Sequence, residues 1–294
     1  MGCKRSEVRI LSPQLSHKDP LMNFQDTYTT LQSLLDTVQH DSELFVQALH
    51  QQQLSYLSYS QITTVEFCQQ RYYLQYILDQ QPEPLPDYFS KGKLLHQLIA
   101  HGYQAHMDGA DLSLEELQAQ LAKSELVCDP THLANALQVY QQQRWQVQRV
   151  LAVEHPFVIL LSDDLPPLVG IIDLILQDGD TIILVDHKSG HNFYPYDELQ
   201  VAIYAHYIQT IYPNYDCQLY YDHYRWVNNL DRIRKPAFQR TLVQVQPEHD
   251  TLYHQRMYKA AGIIQRLHNG VVPSHMGTCF RCPFHRNCIH SYRK

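Results

Sequence analysis

At 294 residues with 44 % apolar content, the chain is long enough to bury one large core, and no run of eighteen apolar residues suggests a membrane span. The N-terminal stretch lacks the apolar segment of a secretory signal, so the expected location is the cytoplasm. A net charge of −7 argues against a surface coated for nucleic-acid binding but leaves room for a local basic groove, and seven scattered cysteines are too few for a disulfide scaffold.

Residues 1–55 show no strand pattern and form an expected helical extension of unknown role, with a helix over 24–53 ending in Gln51, Gln52 and Gln53. The first six residues, MGCKRS, fit the M-G-x-x-x-[ST] acylation pattern, which so short a stretch also matches by chance. Helices are predicted over 56–80 and 91–107, separated by the proline-rich PEPLPDYF. On the second, His96 lies among Leu94, Leu95, Leu98 and Ile99, where a histidine is more often a satisfied core residue than a ligand. Residues 112–150 read as a helical insertion, two helices broken near Cys128, Asp129 and Pro130. A strand is expected over 154–161, starting at Glu154, whose carboxylate is either a second acid near a metal or a strand-end charge.

Strands over 168–177 and 180–188 flank Asp178-Gly179, the dipeptide favoured in a two-residue type I′ hairpin loop. With that loop, Asp173 faces Leu184, and Leu184, Asp186 and Lys188 share one face because side chains alternate along a strand. Asp173 is then the diagonal neighbour of Asp186, roughly 7 Å away, close enough for both to hold one divalent cation with Lys188 a step along. The opposite face, with Ile172, Leu174, Leu176, Ile183 and Val185, is the expected core. An isolated D-x-K is a weak signal and also describes an exposed ion pair at a strand end.

A helix follows over 197–212, with Asp197 and Gln200 spaced as a capping box and Gln200 and Tyr204 on one face. Cap plus buried tyrosine serves here as well as a functional pair. Strands are expected over 216–227 and 238–246, with Arg225, Arg232, Arg234, Lys235 and Arg240 along their connection, and a helix over 247–269. These basic residues and the tail residues Arg281, Arg286, Arg293 and Lys294 are either phosphate contacts or solvated loop faces. Last come Cys279, Cys282 and Cys288 in CFRCPFHRNC, a trio spaced to wrap a metal or cluster. Cys68 is a candidate fourth ligand, but spacing does not choose it over Cys3, Cys128, Cys217, His275, His285 or His290, and zinc fits four thiolates as well as iron does.

The D…D-x-K pattern of Asp173, Asp186 and Lys188 resembles motifs II and III of the PD-(D/E)XK nuclease superfamily. One distant cysteine followed by C-x2-C-x5-C resembles its iron–sulfur nucleases of the RecB/AddB type, and the CRISPR-associated adaptation nucleases share the pattern. The segment SQITTVEFC ending at Cys68, with Arg71, Tyr72, Tyr73 and Tyr76 after it, is similar to that family's opening helix, which usually reads Cys-Pro where this chain has Cys68-Gln69. Gly92 and His96 fit its G-x-x-x-H helix, and Gln200 and Tyr204 its Q-x-x-x-Y motif.

The resemblance covers roughly 56–294, and it implies an α/β restriction-endonuclease-like core: a mixed central sheet flanked by helices, with a helical N-terminal region and a C-terminal cluster loop over 271–294. It implies a structural [4Fe–4S] cluster on Cys68, Cys279, Cys282 and Cys288. It also implies Mg²⁺ or Mn²⁺ on His96, Asp173, Asp186 and the His187 carbonyl, with Glu154 a further acid. Lys188 would activate water and stabilise the phosphate, with Gln200 and Tyr204 positioning Lys188 and the strand. The implied activity is a deoxyribonuclease, a single-strand-preferring exonuclease of repair or recombination, alone or beside a helicase partner. Two alternatives remain: a CRISPR adaptation nuclease, whose members tend to be shorter and to lack the 112–150 insertion, and a cluster-stabilised DNA-binding or scaffolding module without activity.

Overall fold

The computed structural model describes residues 24–52, 54–82, 87–124, 129–193, 197–244, 249–275, 279, 282–286 and 288–289. The MGCKRS stretch, Cys3, Cys128, His290, Arg281, Arg293 and Lys294 lie outside these. Two helices, α1 (Phe24–Thr37) and α2 (Ser42–Gln52), replace the single helix expected over 24–53. Gln39 and His40 separate them with φ of 53° and 59°, a left-handed backbone that no continuing helix tolerates. Likewise α3 (Tyr59–Phe67) stops where Cys68 turns extended, and the chain restarts as α4 (Gln69–Tyr72) running into a π-helical turn over Tyr73–Ile77. At its start, Ser58 and Gln61 close a reciprocal capping box that satisfies two otherwise orphaned N–H groups.

Next come α5 (Asp87–Met107), α6 (Leu114–Lys123) and α7 (Thr131–Gln143), the last two being the expected pair. The sheet contains β1 (Arg149–Ile159), β2 (Leu168–Asp178), β3 (Thr181–Gly190), β4 (Asp216–Arg225) and β5 (Phe238–Val243) in that spatial order. All pairings are antiparallel except β3–β4, which is parallel and is joined by α8 (Glu198–Ile211). The closing helix is α9 (Asp250–His268). This mixed five-stranded sheet with helices on both faces is the α/β architecture expected for a PD-(D/E)XK core. Among the described residues no helix is long and apolar enough to cross a membrane.

Both sheet faces are buried, which corrects the expectation of a one-sided hairpin. Leu174, Leu176, Ile183 and Val185 pack under α5 and α7, whereas Ile175, Ile182 and Leu184 pack under α8 and α9. A parallel β3–β4 crossover places a helix on one face, while α5 to α7 cover the other, so the strands read as nearly continuous apolar runs. A third cluster joins Leu31, Leu35, Phe45 and Leu49 of the N-terminal helices to Val158 and Val169 at the outer edge of the sheet.

The hairpin loop is Gly179-Asp180, not Asp178-Gly179, because Asp178 pairs with Thr181. Gly179 has φ of 58° as the first loop residue, the glycine position of a type II′ turn. Asp173 therefore falls opposite Asp186 rather than Leu184 along the observed register. The slip is two residues, so Leu174, Leu176, Ile183 and Val185 stay together on one face, whereas Ile172, expected with them, packs with Ile175 and Leu184 instead.

Candidate active site

Three strands and two helices converge where β2 and β3 separate. From α5, anchored on the sheet by Leu95 and Ile99, His96 places Nδ1 3.5 Å from Asp173 Oδ2. That oxygen also accepts the His187 N–H at 2.7 Å, which fixes the carboxylate. Glu154 lies in the middle of β1 rather than at its start, between the pairs Val153–Leu174 and His155–Ile172 that flank Asp173 on β2. Its φ of 49° is left-handed, which in a strand interior costs a non-glycine residue about 1–3 kcal/mol. The strained backbone brings its carboxylate to the site, and ligand atoms of His96, Glu154 and Asp173 lie within 4.8 Å of one another. Burial, then the charges of Asp173 and Asp186, pushes the Glu154 carboxyl up to about 7. Burial raises Asp173 as well, against the opposing pull of His96. Two half-buried carboxylates and an imidazole at this spacing suit a divalent cation that takes oxygen ligands and accepts one nitrogen.

Asp186 stands one step away in a second network. Lys188 Nζ lies 2.6 Å from Asp186 Oδ2 and donates to Gln200 Oε1 at 3.0 Å. Gln200 Nε2 donates to Asp186 Oδ1 at 2.7 Å and to the Tyr204 hydroxyl at 2.8 Å. The Tyr204 hydroxyl is within 3.0 Å of the Ile171 carbonyl and 3.4 Å of Asp186 Oδ1. Gln200 thus reads both members of the ion pair at once, its amide oxygen on the ammonium and its amide nitrogen on the carboxylate. It makes no capping box: Asp197 caps α8 by accepting from Leu199 N, and Gln200 is turned inward. Lys188 also lies over the Tyr221 ring at 5.4 Å.

The expected residues therefore fall into two adjoining groups, His96/Glu154/Asp173 and Asp186/Lys188/Gln200/Tyr204. The structure does not place Asp186 in the compact metal-ligand triad. The His187 side chain points to the opposite face, against Tyr103 and Tyr224, and burial drives its pKa well below the ordinary histidine value. Two of the expected phosphate contacts are instead committed to structure. Arg240 grips Asp222 through Nε and Nη2, both at 2.7 Å, and lies 3.7 Å over the Trp145 ring. Arg225 donates to the carbonyls of Lys235 and Pro236. Arg232, Arg234 and Lys235 remain exposed. The Asp222–Arg240 pair was missed in the sequence, although the two face each other across β4 and β5; only the register makes that opposition visible.

At the other end of α3, Cys68, Cys279, Cys282 and Cys288 line one small pocket together with Phe67, Arg71 and His275. Cys217, by contrast, lines a separate cleft beside β4. Backbone bonds knit the loop: Cys282 N to the Cys279 carbonyl at 3.0 Å and Cys288 N to the Phe284 carbonyl at 2.9 Å. Burial raises the Cys279 and Cys282 thiols, and neighbouring cysteines add to the shift. His275 Nε2 lies 2.8 Å from Cys279 Sγ.

Residues 56–289 match the sequence model of the PD-(D/E)XK nuclease superfamily. Nothing among curated proteins matches. Among solved structures, a provisionally named exonuclease from Eubacterium rectale aligns at 12 % identity and a TM-score of 0.46, covering 83 % of this chain and 91 % of its own. The protein SSO0001 aligns at 12 % identity and a TM-score of 0.35, covering 92 % and 97 %. Neither structural match reaches a TM-score of 0.5, and the assignment rests on the sequence model. With that model spanning most of its length, the chain belongs to the PD-(D/E)XK nuclease superfamily.

Proposed function

We propose that the protein is a metal-dependent DNA nuclease, a single-strand-preferring exonuclease of the RecB/AddB type acting in repair or recombination. The observation that carries this reading is the pairing of the two groups: a half-buried carboxylate–imidazole triad beside a lysine held by Asp186 and Gln200. His96, Glu154 and Asp173 would hold Mg²⁺ or Mn²⁺, with Asp186 and the His187 carbonyl able to complete the set. The imidazole inclines the site towards Mn²⁺. Bound there, the cation supplies Lewis acidity and a lowered pKa for water.

Lys188 Nζ donates to Gln200 and pairs by charge with Asp186, and as a three-donor ammonium it keeps capacity for a water or a phosphate oxygen. Lys188 would thereby stabilise the negative charge on the phosphate oxygens as water attacks phosphorus in line. A new P–O bond forms, the P–O3′ bond breaks, and the leaving oxygen takes a proton, giving a 5′-phosphate end. Gln200 and Tyr204 fix where that lysine points.

The four-cysteine pocket is the proposed seat of a structural [4Fe–4S] cluster. Zinc on the same four thiolates is the alternative, and the metal content of the purified protein decides between them. Cys282→Ser should remove the brown absorbance near 400 nm (a position roughly typical of such clusters) and destabilise the fold; a colourless, stable wild type containing zinc overturns this part. A Mn²⁺-dependent digest of single strands labelled at either end tests the activity and its polarity together. No cleavage by wild type under Mg²⁺ or Mn²⁺ would leave the non-enzymatic module as the reading.

A further inference from the structure

The cysteine pocket and the catalytic lysine belong to different parts of the fold, yet one side chain touches the support of both. Arg256 of α9 donates from Nε and Nη2 to the two carboxylate oxygens of Glu66, at 2.9 and 2.8 Å. From Nη1 and Nη2 it donates to the two oxygens of Asp197, each at 2.7 Å. A planar guanidinium forked onto two carboxylates is a directional clamp that a point charge does not reproduce.

Each carboxylate leads somewhere specific. Glu66 stands two residues before Cys68, at the end of α3, and the following α4 is laced to the C-terminal segment. Gln70 N donates to the Ser274 carbonyl at 3.2 Å, and Ser274 N donates to Gln69 Oε1 at 3.1 Å. Asp197 is the N-cap of α8, three residues before Gln200, and its carbonyl also accepts the Tyr221 hydroxyl at 3.1 Å. Gln200 in turn holds Lys188 and Asp186.

We infer that Arg256 is a positioning residue for the nuclease reaction, coupling the cysteine-lined pocket to Lys188 through the first turn of α8. The inference rests on the nuclease reading of the site. With the clamp intact, the pocket fixes α3, α3 fixes Arg256, and Arg256 holds the Asp197 cap so that Gln200 meets the ion pair. Released, α8 keeps its buried face, including Leu199, Ala202 and Ile203, but its first turn loosens. The cost falls on the geometry of Lys188 rather than on substrate binding, since both arms of Arg256 are taken up by Glu66 and Asp197.

The test uses the full chain with its native metal content. Arg256→Gln should retain wild-type metal per chain and a cooperative melt. Cleavage of a labelled single strand with Mn²⁺ should lose roughly 10- to 100-fold in kcat. KM should stay within about twofold. Hydrogen exchange of the amides of 199–204 should speed by roughly tenfold. Arg256→Lys should restore only part of the rate. Glu66→Gln, a milder change that leaves the Asp197 arm in place, should give a smaller kcat loss that disappears in the Arg256→Gln background. Unchanged kcat and unchanged exchange in a folded Arg256→Gln protein overturn the coupling, as does a loss confined to KM. Should Arg256→Gln fail to fold, Glu66→Gln decides by the same two readouts. A wild type that cuts no strand sinks the nuclease reading instead, while the exchange measurement still decides the clamp.

Discussion

Two buried carboxylates occupy adjacent strands of the sheet, and their surroundings differ in one respect. Asp222 of β4 is saturated: both oxygens meet Arg240, Trp145 Nε1 donates to one of them at 3.0 Å, and the guanidinium is stacked on the indole. Asp186 of β3 is equally buried, but its lysine partner is one-third exposed and still has a donor to offer. A closed pair can only hold structure together. An open pair beside a carboxylate–imidazole triad has a direction in which to act. Burial of charge alone therefore does not mark a catalytic group; a partly exposed donor with capacity to spare is the better sign.

Breaking the open pair should give the largest effect. Lys188→Ala is expected to lower kcat on the order of 10³-fold or more, the scale of a lost charge-stabilising donor. Metal content and melting temperature should stay near wild type; equal cleavage by the mutant removes Lys188 from the mechanism. The closed pair should behave oppositely. Arg240→Ala strands Asp222 in the interior and should cost about 3–5 kcal/mol of stability in a denaturant titration. Activity per folded molecule should change little, and a stable but inactive Arg240→Ala protein would blur the distinction between the pairs.

Glu154 allows a sharper separation, because its backbone and its carboxylate make opposite demands. Glu154→Gly should relieve the left-handed φ and stabilise the metal-free fold by about 1 kcal/mol. The same change should weaken Mn²⁺ binding by roughly tenfold or more, measured by calorimetry. Glu154→Gln should lose the metal affinity without the gain in stability. A glycine variant that binds Mn²⁺ like wild type takes Glu154 out of the ligand set.

The smallest expected effect is in pH. With its carboxyl raised to about 7, Glu154 carries a proton below that pH, and a cation must displace it. Mn²⁺ affinity should rise with pH up to about 7 and then level off, and in Glu154→Gln the rise should be smaller and end at lower pH, where Asp173 loses its proton. The sign for the metal-free fold is reversed. A carboxyl whose folded pKa is raised contributes stability at low pH that is lost as pH climbs through about 7. Relative to Glu154→Gln, the apo wild type should thus melt higher at pH 5 than at pH 8.

Much of the site was legible because its motifs are local. Asp186 and Lys188 share a face by strand alternation, Gln200 and Tyr204 by helical spacing, and Gly179 announced a turn even though the loop lay one residue later than read. His96 stood out only through the family pattern, since an imidazole among leucines reads first as core. From the sequence, Glu154 reads as a strand-end residue, either a second acid near a metal or a plain surface charge. Nothing in the residues around it signals a left-handed backbone in mid-strand.

What the sequence by itself determined is the set of elements and the facing of side chains within each, because periodicities of 2 and 3.6 are properties of the local backbone. Helix ends were less secure where one residue breaks the run, as at Gln39, His40 and Cys68. Only the tertiary structure decided which groups meet across elements: the register that sets Asp173 opposite Asp186, the recruitment of Glu154, the closure of Asp222 by Arg240, and the clamp of Arg256 on Glu66 and Asp197. Such meetings join residues from 13 to 190 positions apart, Asp173 and Asp186 at one extreme, Glu66 and Arg256 at the other. Their geometry follows from how two buried sheet faces are covered by helices, which no local pattern encodes.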